Sequence, residues 1–184
     1  CAIACSLSID VKIKKILTIL RKIINPPGRL QKVLNDNKNL EVYIDYAHTP
    51  EALKEALISK TYNNKKPNVV FGSGGDRDKG KRKTMGRIAK LYANRIYITD
   101  DNPRFEDSSK IRQSILKYCK NDAIEIPDRK KAIIRAIHDL NKNEILIIAG
   151  KGHENFQVIK DTSYPLDDYK IATKALKKNY KWKS

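Results

Sequence analysis

The chain has 184 residues and a formal net charge of +17, with 38 Lys and Arg against 21 Asp and Glu. This length fits one domain of ordinary size and is enough to bury a hydrophobic core without disulfide bonds or a structural metal. No apolar run approaches the ~20 residues that a membrane span needs, so we expect no integral membrane protein. Cys1, Cys5 and Cys119 cannot form a closed disulfide framework, and no zinc-like Cys/His spacing occurs. We therefore expect a reduced, cytoplasmic protein without a metal site.

The basic charge invites a nucleic-acid interpretation, which the distribution of the charge does not favour. Lysines make up 28 of the 38 basic residues and are scattered along the chain, as in proteins from AT-rich coding sequences. Aromatic residues are only 7% of the chain and do not accompany the basic runs, so bases have little to stack on. We expect no nucleic-acid partner.

The first predicted element is a helix. Apolar residues recur at helical spacing from Ile9 to Ile24, Ser8 is a plausible N-cap, and Pro26-Pro27-Gly28 ends the pattern. The chain opens on Cys1 with a helix that has no evident partner, so we expect it to begin inside a larger protein.

The remaining elements alternate between strands and helices. Thr49 and Pro50 are typical of a helix start, as is Asp128, and Ser108 or Ser109 is a candidate cap between them. Strands are predicted at 29–34, 40–46, 67–72, 95–99, 123–126, 144–149 and 156–159, with a polar turn at 35–39. Helices are predicted from residue 49 onwards, at 82–93, from 108 to 119, at 128–140 and at 167–180.

This alternation predicts an α/β, Rossmann-like fold, with a mainly parallel sheet and helices on both faces. In such sheets, ligands bind at the carboxyl ends of the strands. The unusual residues follow strands, at 45–49, 72–81, 100–104 and 150–154. We therefore expect these four segments to converge on one crevice.

The glycine-rich segment 72–82 matches GxxxxGK from Gly75 to Lys81, but Arg82 stands where a P-loop has Ser or Thr. We therefore favour a turn that lets the backbone approach a ligand while Arg77 meets an anion. A solvated charged loop is the alternative.

The segment Asp100 to Arg104 carries two carboxylates, an amide and a guanidinium, with Pro103 fixing the turn. Arginine grips carboxylates, whereas Asp and Asn oxygens accept hydrogen bonds from an ammonium, so the set suits the zwitterionic end of an amino acid. A helix-approach loop with internal salt bridges is the alternative.

The other two segments are less specific. Gly150 and Gly152 permit a tight turn, Glu154 can accept from an ammonium, and Lys151 can face a phosphate or carboxylate. Asp45 and His48 lie beside a helix start, where a strand end with an N-cap explains them equally well. No catalytic triad can be assigned from spacing.

Together these segments resemble one family, the Mur ligases. The sequences DYAHTPEAL (45–53), GSGGDRDKGKR (72–82), DDNPR (100–104) and AGKGHE (149–154) occur in the order of the family's C-terminal domain. The DNPR sequence is similar to the members that add meso-diaminopimelate rather than lysine. The resemblance covers residues 29 to at least 159.

The resemblance implies a fold, an activity and a set of binding residues. The family joins meso-diaminopimelate to UDP-N-acetylmuramoyl-L-alanyl-D-glutamate in cytoplasmic peptidoglycan synthesis, through an acyl phosphate made from ATP with Mg²⁺. Residues matching Arg29, Asp45 and His48 lie near the nucleotide. The implied diaminopimelate-binding residues are Arg77, Asp101, Asn102, Pro103, Arg104, Gly150 and Glu154.

The resemblance also implies that part of the ligase lies outside this chain. Residues 1–25 resemble the last helix of a central ATPase domain, and 26–184 the C-terminal acceptor-binding domain. ATP, Mg²⁺ and the UDP-linked dipeptide are then bound mainly by absent domains, and the chain alone is expected to lack ligase activity. The alternatives are the C-terminal domain of another amide ligase, such as a folate-glutamate ligase, and a basic binding module without enzymatic activity.

Overall fold

The computed structural model describes residues 2–20, 22, 25–34, 40–119 and 122–180. Cys1, the end of the predicted first helix at Ile23 and Ile24, and the predicted turn at 35–39 lie outside this part of the chain. No helix within the described residues is long and apolar enough to cross a membrane.

The predicted first helix is confirmed only over α2 (Ile13–Leu20), and its predicted N-cap, Ser8, is instead the last residue of a separate helix, α1 (Ala2–Ser8). Asp10 takes a left-handed conformation, with φ of 60°. Its N–H donates to Leu7 O, and the Val11 N–H donates to Ser6 O. These two bonds form a Schellman motif, which ends α1. Because Asp10 stands where such a motif usually has glycine, the sequence gives no signal that a helix ends here.

The sheet has six strands in the order β1-β2-β6-β3-β4-β5, and every neighbouring pair is parallel except β1 with β2. β6, the most apolar strand, pairs on both sides. The strands are β1 (Gln31–Lys32), β2 (Glu41–Asp45), β3 (Asn68–Phe71), β4 (Ile96–Ile98), β5 (Ala123–Glu125) and β6 (Ile145–Ala149).

Helices cover both faces of this sheet, as the alternation predicts. Val69 and Phe71 face one core with α3, α4 and α5, whereas Val70, which lies between them, faces a second core with α6 and α7. This two-residue period places apolar side chains on both faces of a buried strand. The helices are α3 (Pro50–Ser59), α4 (Gly80–Tyr92), α5 (Ser108–Leu116), α6 (Arg129–His138) and α7 (Asp168–Tyr180).

The predicted helix starts at Thr49–Pro50 and at Asp128 are confirmed, whereas α4 begins at Gly80 rather than at Arg82. The Thr49 hydroxyl accepts from the Ala52 N–H, and the Asp128 carboxylate accepts from the Lys131 N–H. At α5 the cap is Asp107, which accepts from two backbone N–H groups, rather than Ser108 or Ser109. The Asp107 carboxylate, one residue before Ser108, accepts from backbone N–H groups at the start of α5 that have no partner within the helix.

A two-stranded antiparallel hairpin, β7 (Phe156–Ile159) and β8 (Thr162–Pro165), follows the six-stranded sheet. The sequence predicts β7 but not β8, whose residues are all exposed and lack an alternating pattern. The Arg104 N–H donates to Val158 O and the Lys160 N–H to Arg104 O. The hairpin therefore fixes the backbone on both sides of Arg104.

Candidate functional site

The four segments identified in the sequence converge at the carboxyl ends of β2, β6, β3 and β4, which are neighbours in the sheet. They enclose an open cavity of about 770 Å³. It is lined by Tyr46, His48, Thr49, Pro50, Glu51, Gly72, Ser73, Gly74, Arg77, Asp78, Gly80, Lys81, Thr84, Asp101, Asn102, Arg104, Gly150 and Glu154.

Seven of the ten predicted site residues line this cavity: His48, Arg77, Asp101, Asn102, Arg104, Gly150 and Glu154. The other three, Arg29, Asp45 and Pro103, are not among its lining residues. The predicted convergence of strand ends therefore gathers most, but not all, of the predicted set.

The acidic side of the cavity is buried and interlinked. Asp101 and Asn102 are 8% and 6% exposed. Asp101 Oδ1 accepts from the Asn102 N–H at 2.7 Å, and Asn102 Nδ2 donates to Glu154 Oε2 at 3.2 Å. Gly150, with φ of +116°, lies so close that an added Cβ would be 2.7 Å from Asp101 Oδ2. This close approach and the positive φ both favour glycine at position 150, whose backbone packs directly against the Asp101 carboxylate.

Arg104 supplies positive charge to the same cavity. Its φ of 52° is unusual for a residue with a side chain, and the hydrogen bonds to the β7–β8 hairpin hold it in that conformation. Nη1 donates to Gly75 O at 2.9 Å and to Asn102 O at 3.4 Å. No described protein group accepts from Nε or Nη2. Arg104 can therefore offer a carboxylate two N–H groups from a fixed position.

The glycine-rich loop packs directly on the DNPR segment. The Gly75 N–H donates to Asn102 O at 2.8 Å, and a Cβ at Gly75 would lie 1.9 Å from Pro103 O. The Asp76 N–H donates to Glu106 Oε1. These amides are occupied by protein acceptors, so the loop does not cradle a phosphate with them as a P-loop does. Pro103 does not line the cavity, and its carbonyl oxygen packs against Gly75 instead.

Glu106 supports the loops of the cavity, although no sequence motif predicts this role. Its carboxylate accepts from Arg82 Nη1 and Nη2 at 3.1 and 2.9 Å and from the Asp76 N–H at 2.6 Å. It thereby joins α4 to the glycine-rich loop and to the end of the DNPR segment. The sequence shows an acidic residue two positions after Arg104. Its partners, Arg82 and Asp76, are 24 and 30 residues away in the chain, so no local pattern connects them.

We expect Glu106→Gln to weaken the fold and to flatten its acid dependence. Hydrogen bonds from Arg82 and then from the Asp76 backbone lower the pKa of Glu106 from 4.5 to about 2, against the opposing effect of burial. A carboxyl pKa depressed by folding stabilises the protein above about pH 4.5, and this is lost as the pH falls towards 2. The variant should lose about 2 kcal/mol at pH 7.

Urea unfolding followed by circular dichroism at pH 7, 4 and 3 measures this change. The exposed Glu55 on α3 provides the control, Glu55→Gln. Equal acid dependence in wild type and Glu106→Gln would contradict the assigned role.

The predicted nucleotide-proximal residues differ in their surroundings. Asp45 is buried, and its two oxygens accept from the Leu30 and Ala47 N–H groups at 2.7 and 2.8 Å, so it holds the β2 turn together. Arg29 and His48 are exposed and both contact the Tyr46 ring, with distances to its centroid of 4.7 Å. Arg29, Tyr46 and His48 thus form a cationic and aromatic surface beside the cavity.

Lys81, the lysine of the GxxxxGK match, lies in the cavity and donates to His48 O at 3.0 Å. Burial lowers the pKa of its ammonium, although the carboxylates of Asp101 and Asp78 oppose the shift. Lys151, which the sequence analysis placed towards an anionic ligand, is instead fully buried within the protein.

The described residues contain no group of three or more His, Cys, Asp or Glu side chains that could hold a metal ion. Three carboxylates of the cavity accept from the protein through one oxygen each: Asp101 from the Asn102 N–H, Asp78 from the Gly80 N–H, and Glu154 from Lys151 and the Asn102 amide. Within the described residues the second oxygen of each has no donor, so it can accept from an ammonium.

Comparison with known proteins gives one family. Residues 28–152 match the family described as "Mur ligase, glutamate ligase domain". The UDP-N-acetylmuramoyl-L-alanyl-D-glutamate--2,6-diaminopimelate ligase of Rickettsia bellii (strain RML369-C) is 45% identical over 163 residues, covering 86% of this chain and 34% of that protein. The ligase of the same name from Prochlorococcus marinus (strain NATL1A) is 44% identical over 169 residues, covering 88% and 33%.

A solved structure gives the same result. A UDP-N-acetylmuramoyl-L-alanyl-D-glutamate--2,6-diaminopimelate ligase aligns over 97% of this chain and 37% of its own, with a TM-score of 0.76 and 33% identity. The chain spans about a third of the length of the curated relatives it matches. Because the family match covers more than half of the chain and the fold agrees, this protein belongs to the Mur ligase family and contains its C-terminal, glutamate ligase domain.

Proposed function

We propose that the cavity binds meso-diaminopimelate as the acceptor amino acid of an ATP-dependent ligase. The ligase would add it to UDP-N-acetylmuramoyl-L-alanyl-D-glutamate in peptidoglycan synthesis. One observation carries the proposal: the carboxylates of Asp101 and Glu154 and the guanidinium groups of Arg77 and Arg104 open into one cavity. The names of the curated relatives support the same substrate.

The proposed binding mode pairs each charge of one amino-acid end with a complementary group. The ammonium lies at Glu154 and the Gly150 carbonyl, within the field of Asp101. The carboxylate lies at Arg104, with the exposed Arg77 on the same side of the cavity, since a Cβ at Gly74 would lie 3.0 Å from Arg104 Nη1 and 3.9 Å from Arg77 Cγ. Ammonium donors and carboxylate acceptors are thereby satisfied in a partly buried site, where an unpaired charge is costly.

This binding mode explains a preference over lysine. Lysine has a single amino-acid end, which must present the reacting amine, so its side-chain ammonium would occupy the cavity and leave Arg104 desolvated and without an acceptor. A site built to pair a polar group rejects an analogue that lacks it by up to ~10⁴-fold. The other end of diaminopimelate is then free to present its amine, whose nitrogen forms the new amide bond.

The remaining steps of the reaction require groups beyond this cavity. ATP supplies the activation of the glutamate carboxylate, and we propose that Arg29, His48 and Tyr46 face the nucleotide when the ligase is assembled. Because the chain spans about a third of the length of its curated relatives, we assign Mg²⁺ and the UDP-linked dipeptide to parts of the ligase outside this chain. We therefore expect no ligase activity from these 184 residues alone.

We further propose that residues 1–25 belong to the neighbouring ATPase domain and 26–184 to the acceptor-binding domain. The family match begins at residue 28. Ile3, Leu7, Ile13 and Leu17 on α1 and α2 are 44–52% exposed, which is unusual for a stripe of apolar side chains. Cys5 and Cys119 are free thiols, in keeping with a proposed cytoplasmic location.

Titration calorimetry of the purified chain with meso-diaminopimelate, 1,5-diaminopentane and ATP tests the proposed function. Diaminopentane has two amines but no carboxylate, so it leaves Arg104 unpaired in either orientation, and we expect at least a 100-fold weaker response to it than to meso-diaminopimelate. Equal binding of the two compounds would contradict the proposed specificity. Tripeptide formation from ATP by the chain alone would contradict the assignment of catalysis to other parts of the ligase.

A further inference from the structure

A fully buried lysine lies behind the acidic side of the cavity. Lys151 is 0% exposed, although lysine normally carries its charge to the surface. Its Nζ donates to Asn102 Oδ1 at 2.9 Å and to Glu154 Oε2 at 3.1 Å, and lies 5.8 Å from the centre of the Phe156 ring. A buried ammonium is tolerated only with such partners, so this site is built around its charge.

The hydrogen bonds of Lys151 fix the direction of the Asn102 amide. Asn102 Oδ1 accepts from Lys151 Nζ and, at 2.9 Å, from the Val158 N–H. Both partners are donors only, so the oxygen must face them and the amide nitrogen must face the other way. Nδ2 consequently donates to Glu154. Without Lys151, only the Val158 N–H and the Glu154 carboxylate, itself released from the ammonium, would hold this orientation.

The same ammonium determines which oxygen of Glu154 is available. Glu154 Oε2 accepts from both Lys151 Nζ and Asn102 Nδ2. Among the described residues, Oε1 has no donor, and Glu154 lines the cavity. The carboxylate is therefore anchored through one oxygen, which leaves the other for a ligand.

We infer that Lys151 is a positioning residue that acts through Asn102 and Glu154 to present an acceptor oxygen to the ammonium of the amino-acid ligand. This inference rests on the proposed function for the identity of the ligand. Lys151 itself does not line the cavity, so its contribution is geometric and electrostatic. Gly150 and Gly152, both with positive φ, turn the backbone so that the intervening side chain points inward.

The test replaces the ammonium with an apolar group of similar length, in Lys151→Met. Lys170→Met is the matched control, because Lys170 also pairs with a carboxylate three residues away, Asp167, at 3.2 Å, but at an exposed position. The first measurement needs no ligand: hydrogen exchange of the Asn102 side-chain amide, followed by NMR. We expect about tenfold faster exchange in Lys151→Met and no change in Lys170→Met.

The second measurement is the Kd for meso-diaminopimelate. We expect about a tenfold rise in Lys151→Met, from loss of hydrogen bonds to a charged group. If Lys151 acts through Glu154, the effects of Lys151→Met and Glu154→Gln will not add in the double variant. A purely structural role would give additive effects. Should Lys151→Met not fold, Lys151→Gln retains a donor, and about a threefold change is expected in both measurements.

The two measurements separate the two hypotheses. If wild type does not bind meso-diaminopimelate but Asn102 exchange accelerates in Lys151→Met, the proposed function fails and the positioning role of Lys151 stands. If wild type binds and Lys151→Met changes neither Asn102 exchange nor Kd, the positioning role is overturned and the proposed function stands.

Discussion

An Arg129→Met variant is expected to lose about 3–5 kcal/mol of its free energy of unfolding. Arg129, at the start of α6, is the largest fully buried side chain among the described residues. Its Nε and Nη2 donate to the Asp168 carboxylate at 3.0 and 2.7 Å, and both side chains of the pair are 0% exposed. Methionine would leave the carboxylate buried without its counter-charge.

The Arg129→Met substitution should disturb the cavity as well as the core. Arg129 Nη2 also donates to Ala149 O at 3.0 Å, at the end of β6, and Nη1 lies 3.5 Å from Asp100 O, beyond β4. One guanidinium thus connects two of the strand ends that carry the site with the starts of α6 and α7. We therefore expect weaker amino-acid binding in any folded Arg129 variant.

Urea unfolding by circular dichroism measures the stability, with Lys170→Met as control. The Lys170–Asp167 pair joins the same region but is exposed, and such pairs contribute less than about 1 kcal/mol. Adding Asp168→Asn to Arg129→Met should recover part of the loss, because it removes the unpaired buried charge. A double variant less stable than Arg129→Met alone would show that the pair is not the source of the effect.

The convergence of the four loops is what the sequence predicts best. It follows from the order of strands and helices, since parallel strands place their carboxyl ends on one edge. The alternation of Val69, Val70 and Phe71 between two cores follows from the two-residue period of a strand. These features depend on local pattern, which a sequence contains directly.

The supports behind the cavity could not be predicted in the same way. Lys151 and Asn102 are 49 residues apart, and Glu106 and Arg82 are 24 apart. Whether Lys151 faces a ligand or the interior depends on the backbone turn at its two flanking glycines, which periodicity does not describe. The break at Asp10 was missed for a related reason: an L-residue in the left-handed conformation gives no glycine signal.

The largest effect on binding is expected from Arg104→Ala. Truncating one partner of a buried charge pair costs 2–5 kcal/mol, so we expect affinity for meso-diaminopimelate to fall by about 100-fold or more. Affinity for 1,5-diaminopentane, which has no carboxylate to pair with Arg104, should change little. The variant therefore loses the preference between the two ligands, which is a sharper result than loss of binding alone.

Competition calorimetry with both ligands measures this preference, and Arg87→Ala is the matched control, since Arg87 is exposed on α4. Loss of Nη1 also releases Gly75 O, so the fold of the variant must be checked by circular dichroism. In a ligase reconstituted with its remaining domains, Arg104→Ala should raise the KM for meso-diaminopimelate and leave that for ATP unchanged. Equal increases in both KM values would mean that Arg104 supports the architecture of the domain rather than its choice of substrate.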